Sequence, residues 1–185
     1  MSTINELVVA ADGGDGVAAK TLFATLYHEL HTLAEHHLQR RGSQLTLGTT
    51  TLLHEAYLKL SERDGARFPD RGRFLAYASK AMRGLVIDYA RARRAKKRGG
   101  EFEITRLGND EPAGAPLPDE TLERLGEAME QLGEIDPPLA QLVDLHFFAG
   151  FSFVEIAALE GSSERTVQRN WQKARTLLRR LVEAA

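Results

Sequence analysis

A chain of 185 residues with 43% hydrophobic content can bury one core or two small ones. It has no cysteine, which excludes disulfides and cysteine-based zinc sites. The sequence offers no apolar run that could span a bilayer and no basic-then-apolar leader, so the expectation is a soluble cytoplasmic protein without membrane insertion. The net charge of −2 conceals a segregation: residues 1–98 carry net +6, residues 99–161 net −12 and residues 162–185 net +4. Two positive ends around an acidic middle suit two separate contacts with a polyanion, joined by a segment that avoids it or imitates it.

The first predicted helix lies within Ser2 to Ala11, and Gly13-Gly14 breaks the pattern, with Asp15 available as the next cap. A long helix is then expected to about Arg41, with Leu22, Phe23, Leu26, Tyr27, Leu30, Leu33, Ala34 and Leu38 recurring at three and four. Thr49 or Thr50 can cap a third helix, with Leu53, Ala56, Tyr57 and Leu60 inward, that ends near Arg63. The segment Asp64 to Gly72, DGARFPDRG, reads as a loop holding one aromatic, Phe68, among basic residues. A fourth helix begins near Arg73, buries Phe74, Leu75, Ala78, Met82, Leu85, Val86 and Tyr89, and ends in RARRAKKR. Four helices with short connections make a compact all-α unit over 1–98.

Residues 99–119 hold four glycines, three prolines and no sustained periodicity, and read as a flexible acidic linker that could reach about 70 Å when extended. The second unit, 120–185, starts with a helix through Leu122, Leu125, Met129 and Leu132. Asp136-Pro137 is an N-cap with proline at the first helical position, and that helix should end before Gly150.

The most informative stretch follows. Ser152 with Glu155 is a capping-box pattern, and Phe151 with Ile156 falls at the positions of a hydrophobic staple. Gly161 ends this helix, Ser162 or Ser163 can cap the next, and Ala157 and Val167 provide the small and apolar contacts of a helix-turn-helix. From Val167 the apolar stripe runs through Trp171, Ala174, Leu178 and Leu181. The opposite face carries Arg165, Gln168, Arg169, Gln172, Lys173 and Arg175, side chains that can donate to base edges and phosphates in a major groove.

Taken together, TTLLHEAYLKLSER at Thr50 to Arg63, RFLAYASKAMRGLVIDYARARRAKKR at Arg73 to Arg98 and GFSFVEIAALEGSSERTVQRNWQKAR at Gly150 to Arg175 resemble the extracytoplasmic-function (ECF) sigma factors of bacterial RNA polymerase. The resemblance implies a region 2-like bundle over 1–98 and a region 4-like helix-turn-helix domain over 120–185. It implies core RNA polymerase and promoter DNA as partners, an anti-sigma factor as a further candidate, and a monomer when free. Core-polymerase contacts would fall on Leu52, Glu55, Leu58 and Lys59. Arg67 and Phe68 in the loop, with Arg83, Arg91 and Arg94 on the helix, would capture the minus-ten element. The minus-thirty-five element would be read by Arg165, Thr166, Gln168, Arg169 and Gln172, with Lys173 or Arg175 nearer phosphates. His54 precedes Glu55 where the family often has glutamine, and no tryptophan follows at that helix's end.

Three other readings compete with this one. For an enzyme, His28, His31, His36 and His37 are the best raw material, but no carboxylate set completes a site and no phosphate loop or nucleophile motif is present. The expectation is therefore no catalytic residue, no metal and no cofactor. A stand-alone helix-turn-helix regulator would share the C-terminal half, yet the N-terminal bundle with its arginine-rich last helix offers no evident ligand pocket or dimerisation seam. A sigma mimic that sequesters an anti-sigma protein is disfavoured by the basic faces at both ends.

Overall fold

The computed structural model describes residues 4–39, 47–61, 70–98 and 118–184. Every regular element among them is helical: α1 (Ile4–Asp12), α2 (Gly16–Thr25), α3 (Tyr27–Gln39), α4 (Thr49–Ser61), α5 (Arg71–Arg98), α6 (Asp119–Ile135), α7 (Pro137–Val143), α8 (Phe153–Glu160) and α9 (Glu164–Ala184). The expected all-α class is met. The acidic linker up to residue 117, and Arg67 and Phe68 of the basic loop, lie outside the described residues.

Local chemistry accounts for most boundaries. The Asp15 carboxylate accepts from the N–H groups of Val17 (2.9 Å) and Ala18 (3.2 Å), which starts α2 where the cap was expected. The expected long helix to Arg41 is interrupted at Leu26, which leaves helical geometry (φ −95°, ψ 8°). The Thr25 hydroxyl donates back to the Thr21 carbonyl at 2.7 Å, a local bond of the kind that bends helices. The fourth helix starts two residues early because Asp70 caps it, accepting from the Arg73 N–H at 2.8 Å. Asp136 caps α7 through the Leu139 N–H, with Pro137 at the first turn.

The helix after Pro137 does not run on in α geometry to Gly150 as expected. It widens to a π-turn over Asp144–Phe148, closed by Ala149 N–H to Asp144 O at 3.0 Å. The same carbonyl accepts from the Ser79 hydroxyl of α5 at 2.9 Å, a tertiary bond at the place where the helix departs from i→i−4 pairing.

One buried apolar cluster joins the two ends of the chain. It gathers Leu22, Leu26, Leu30 and Leu33 of the first helices with Leu52, Leu75, Met82 and Val86, and it continues into Leu142, Leu145, Ile156, Ala157 and Val167. A second cluster belongs to the C-terminal helices, with Leu125, Met129, Leu132, Val143, Phe148 and Ala174 at its centre. Full burial of each such leucine or methionine favours the fold by about 1.5–3 kcal/mol. The helix-turn-helix therefore packs its inner side on α5 instead of standing apart from the N-terminal bundle.

Candidate nucleic-acid interface

The helix-turn-helix forms as its sequence requires. The Ser152 hydroxyl accepts from the Glu155 N–H at 3.2 Å, and the Glu155 carboxylate accepts from the Ser152 N–H at 2.7 Å. That backbone bond, reinforced by the serine hydroxyl, holds the Glu155 carboxyl below its ordinary range. Gly161 closes α8 in the left-handed region (φ 63°), which only glycine adopts without strain, and its N–H reaches the Ala157 carbonyl. The Ser163 hydroxyl then accepts from the Thr166 N–H at 3.2 Å and opens α9.

On α9, Val167 and Ala174 are buried, and Trp171, Leu178 and Leu181 pack against the apolar clusters, so the predicted inward stripe stands. Trp171 meets His146 edge-on at 4.6 Å, and His146 hydrogen-bonds the Phe151 carbonyl at 2.7 Å, which ties α9 to the turn before α8. Arg165, Gln168, Arg169, Gln172, Lys173 and Arg175 are all exposed, and Thr166 is half-buried, its hydroxyl on that of Ser163. The Gln168 amide donates to Glu164 at 3.0 Å. The four cations of this face pair with no carboxylate among the described residues. They present a row of donors to solvent.

The basic face of α5 is arranged differently. Arg94 meets Glu123 at 3.4 Å and Glu120 at 3.9 Å, and Arg91 meets Glu127 at 4.0 Å. Arg83 meets Glu130 at 3.6 Å. The partners all come from α6, in reverse order along it, so α6 runs antiparallel across the face. Its acids recur at steps of three, four and three, one helical stripe.

Arg83 is a correction to the sequence reading. Expected on the DNA face, it is only 3% exposed, and its Nε donates to the Asp144 carboxylate at 2.7 Å. The guanidinium also lies 5.7 Å from the Phe148 ring centroid. Burial pushes the Asp144 carboxyl up to about 6, against the opposing pull of Arg83. Beside this pair, the Ser79 hydroxyl spends its proton on the Asp144 carbonyl and so accepts from His37 Nε2 at 3.0 Å. The His37 ring stacks on Phe148. A buried polar knot of His37, Ser79, Arg83 and Asp144 thus joins three helices, and nothing in the periodicity of any one of them announces it.

On α4, Glu55, Leu58 and Lys59 are exposed, Leu58 by 39%. Leu52, expected beside them, is instead 0% exposed and belongs to the core, because it falls one turn inward with Leu53 and Ala56. Lys59 lies 3.8 Å from Asp88 of α5, both side chains exposed. Of the aromatics of α5, Phe74 is buried as expected, while Tyr89, expected on the same stripe, and Tyr77 are half-buried. Among the described residues no three histidine or carboxylate side chains gather into a metal-sized cluster, and no helix is long and apolar enough to cross a membrane.

No curated protein matches the chain. A family model described as "ECF sigma factor", however, matches residues 1–184, nearly the whole chain, where a stand-alone regulator needed only the helix-turn-helix. That span does not favour the stand-alone alternative. Helical bundle, basic α5 and helix-turn-helix, taken with this match, make the chain a member of the ECF sigma factor family, whose partners are core RNA polymerase and promoter DNA.

Proposed function

We propose that the exposed face of α9 reads the minus-thirty-five element, with Arg165, Thr166, Gln168, Arg169 and Gln172 toward base edges and Lys173 and Arg175 toward phosphates. The observation that carries this reading is the open donor row behind the Gly161 turn, since arginine and amide side chains on a recognition helix match guanine and adenine edges. Arg91 and Arg94 of α5 hold the non-template strand at the minus-ten element, beside the Arg67 and Phe68 loop. Glu55, Leu58 and Lys59 of α4 dock on the polymerase, a mixed apolar and charged patch of the composition a separable partner uses.

In this reading residues 1–98 act as the polymerase-binding and melting unit, 99–119 as the linker, and 120–185 as the upstream reader. The chain contributes no catalytic residue and requires no cofactor. It works in the cytoplasm as a monomer until core enzyme binds, and an anti-sigma factor can compete for that step. Run-off transcription with purified core polymerase and a genomic promoter pool tests the proposal. New start sites that depend on the chain support it, and unchanged start sites reject it.

A further inference from the structure

The acids of α6 face the cations of α5 with a regularity that surface charge alone does not require. Glu120, Glu123, Glu127 and Glu130 form one stripe, and they meet Arg94, Arg91 and Arg83 in antiparallel order. The close approach has a steric cause as well. Gly126 lies in the middle of α6, where glycine weakens a helix by about 1 kcal/mol relative to alanine. A Cβ at this position would stand 2.7 Å from Ile87 Cδ1 and 3.4 Å from Ile87 Cγ2, so the glycine lets α6 settle on the α5 ridge. Arg83 and Asp144 close the same seam from its buried end.

We infer that α6 is a built-in surrogate for the DNA backbone, whose stripe of glutamates occupies the single-strand face of α5 in the free protein. This rests on the sigma-factor reading of α5 given above. A row of carboxylates along a helix offers arginine the same acceptor chemistry that successive phosphates do. Each exposed pair is weak alone, but the four acids act together with the apolar seam around Leu122 and Met129, both buried. Strand capture then requires α6 to leave α5, and polymerase binding, which engages both ends of the chain, supplies the differential affinity that shifts the equilibrium.

The test uses the full-length chain without polymerase and a fluorescein-labelled single strand of about 20 nucleotides, long enough to cover one single-strand groove. The variant Glu120→Gln/Glu123→Gln/Glu127→Gln/Glu130→Gln keeps the size of every side chain and removes the stripe's charge. Gly126→Val opens the seam by volume alone and leaves every charge in place. Both are expected to bind the strand at least about tenfold more tightly than wild type, the order of change that uncovering a mostly closed face produces. An affinity within about twofold of wild type for both variants overturns the inference. Run-off transcription with core enzyme and Arg91→Ala/Arg94→Ala is run alongside. If it shows normal initiation, the reading of α5 as the DNA face has failed. If it shows lost initiation while the opened variants bind no better, only the surrogate has failed.

Discussion

Helices α5 and α9 are both long, basic and amphipathic, yet one is covered and the other open. The cations of α9 point to solvent around a stripe that faces its own core. On α5, Arg94, Arg91 and Arg83 meet five carboxylates, those of Glu120, Glu123, Glu127, Glu130 and Asp144, with Arg83 fully inside. Net charge does not separate the two helices. What separates them is whether a neighbouring helix carries complementary charge at matching spacing, so a basic helix announces a capacity for polyanions without saying which polyanion holds it.

The largest expected effect is at the buried end. Arg83→Ala leaves the Asp144 carboxyl inside without its cation, and loss of one partner of a buried pair costs about 3–5 kcal/mol. Urea denaturation should show that loss, and a change below about 1 kcal/mol would mean that the pair is not what orders this seam. At the open helix, Arg169→Ala removes an exposed side chain, so stability should hardly change. Binding to cognate promoter duplex should weaken by about 1–3 kcal/mol if Arg169 makes a bidentate base contact. Equal duplex affinity of variant and wild type would remove Arg169 from the reading set.

Acid supplies a third comparison. The Asp144 carboxyl titrates near 6 in the folded chain against an ordinary value of 3.8. Between those values the folded state holds a proton that the unfolded state has released, so the contribution of this group to stability falls as pH rises through the window and is level above it. Lys80 and Arg83 pull the value down and Glu130 pushes it up, but desolvation outweighs them. The stability difference between wild type and Asp144→Asn should therefore shift in favour of wild type as pH falls from 7 toward 4.5. A difference that is constant across this range would break the assignment. α9 has no counterpart group, so duplex binding should show no such dependence on Asp144.

What could be read in advance follows the range of the interactions. The Asp15, Asp136 and Ser152 caps, the Gly161 turn and the stripe from Val167 to Leu181 depend on residues within a few positions of one another, and all stand as the sequence implies. Asp70 carries the same kind of signal, but Pro69 and Gly72 make its surroundings read as loop. The misplacements have a different origin. Family pattern places Arg83 and Leu52 on surfaces, and each is buried by a partner far away in the chain, Asp144 for one and the shared core for the other. Gly126 and the 3-4-3 spacing of the α6 glutamates carry no meaning within their own helix, because their partner α5 is separated from them by the linker, and pattern within one helix does not name the helix opposite.

The smallest expected change discriminates most finely between the covered and open helices. Arg91 is an exposed cation 4.0 Å from Glu127, a separation and setting in which an ion pair is worth about 0–1 kcal/mol. Arg91→Gln should therefore leave the denaturation midpoint nearly where it was. Placed in the background with the four α6 glutamates changed to glutamine, the same substitution should weaken single-strand binding and reduce the salt slope by about one phosphate contact. A side chain that matters little to the fold but measurably to the strand is one whose carboxylate partner is a substitute. If Arg91→Gln instead lowers stability by several kcal/mol and leaves strand binding alone, its pairing with Glu127 is structural, and α5 is covered for the sake of the fold.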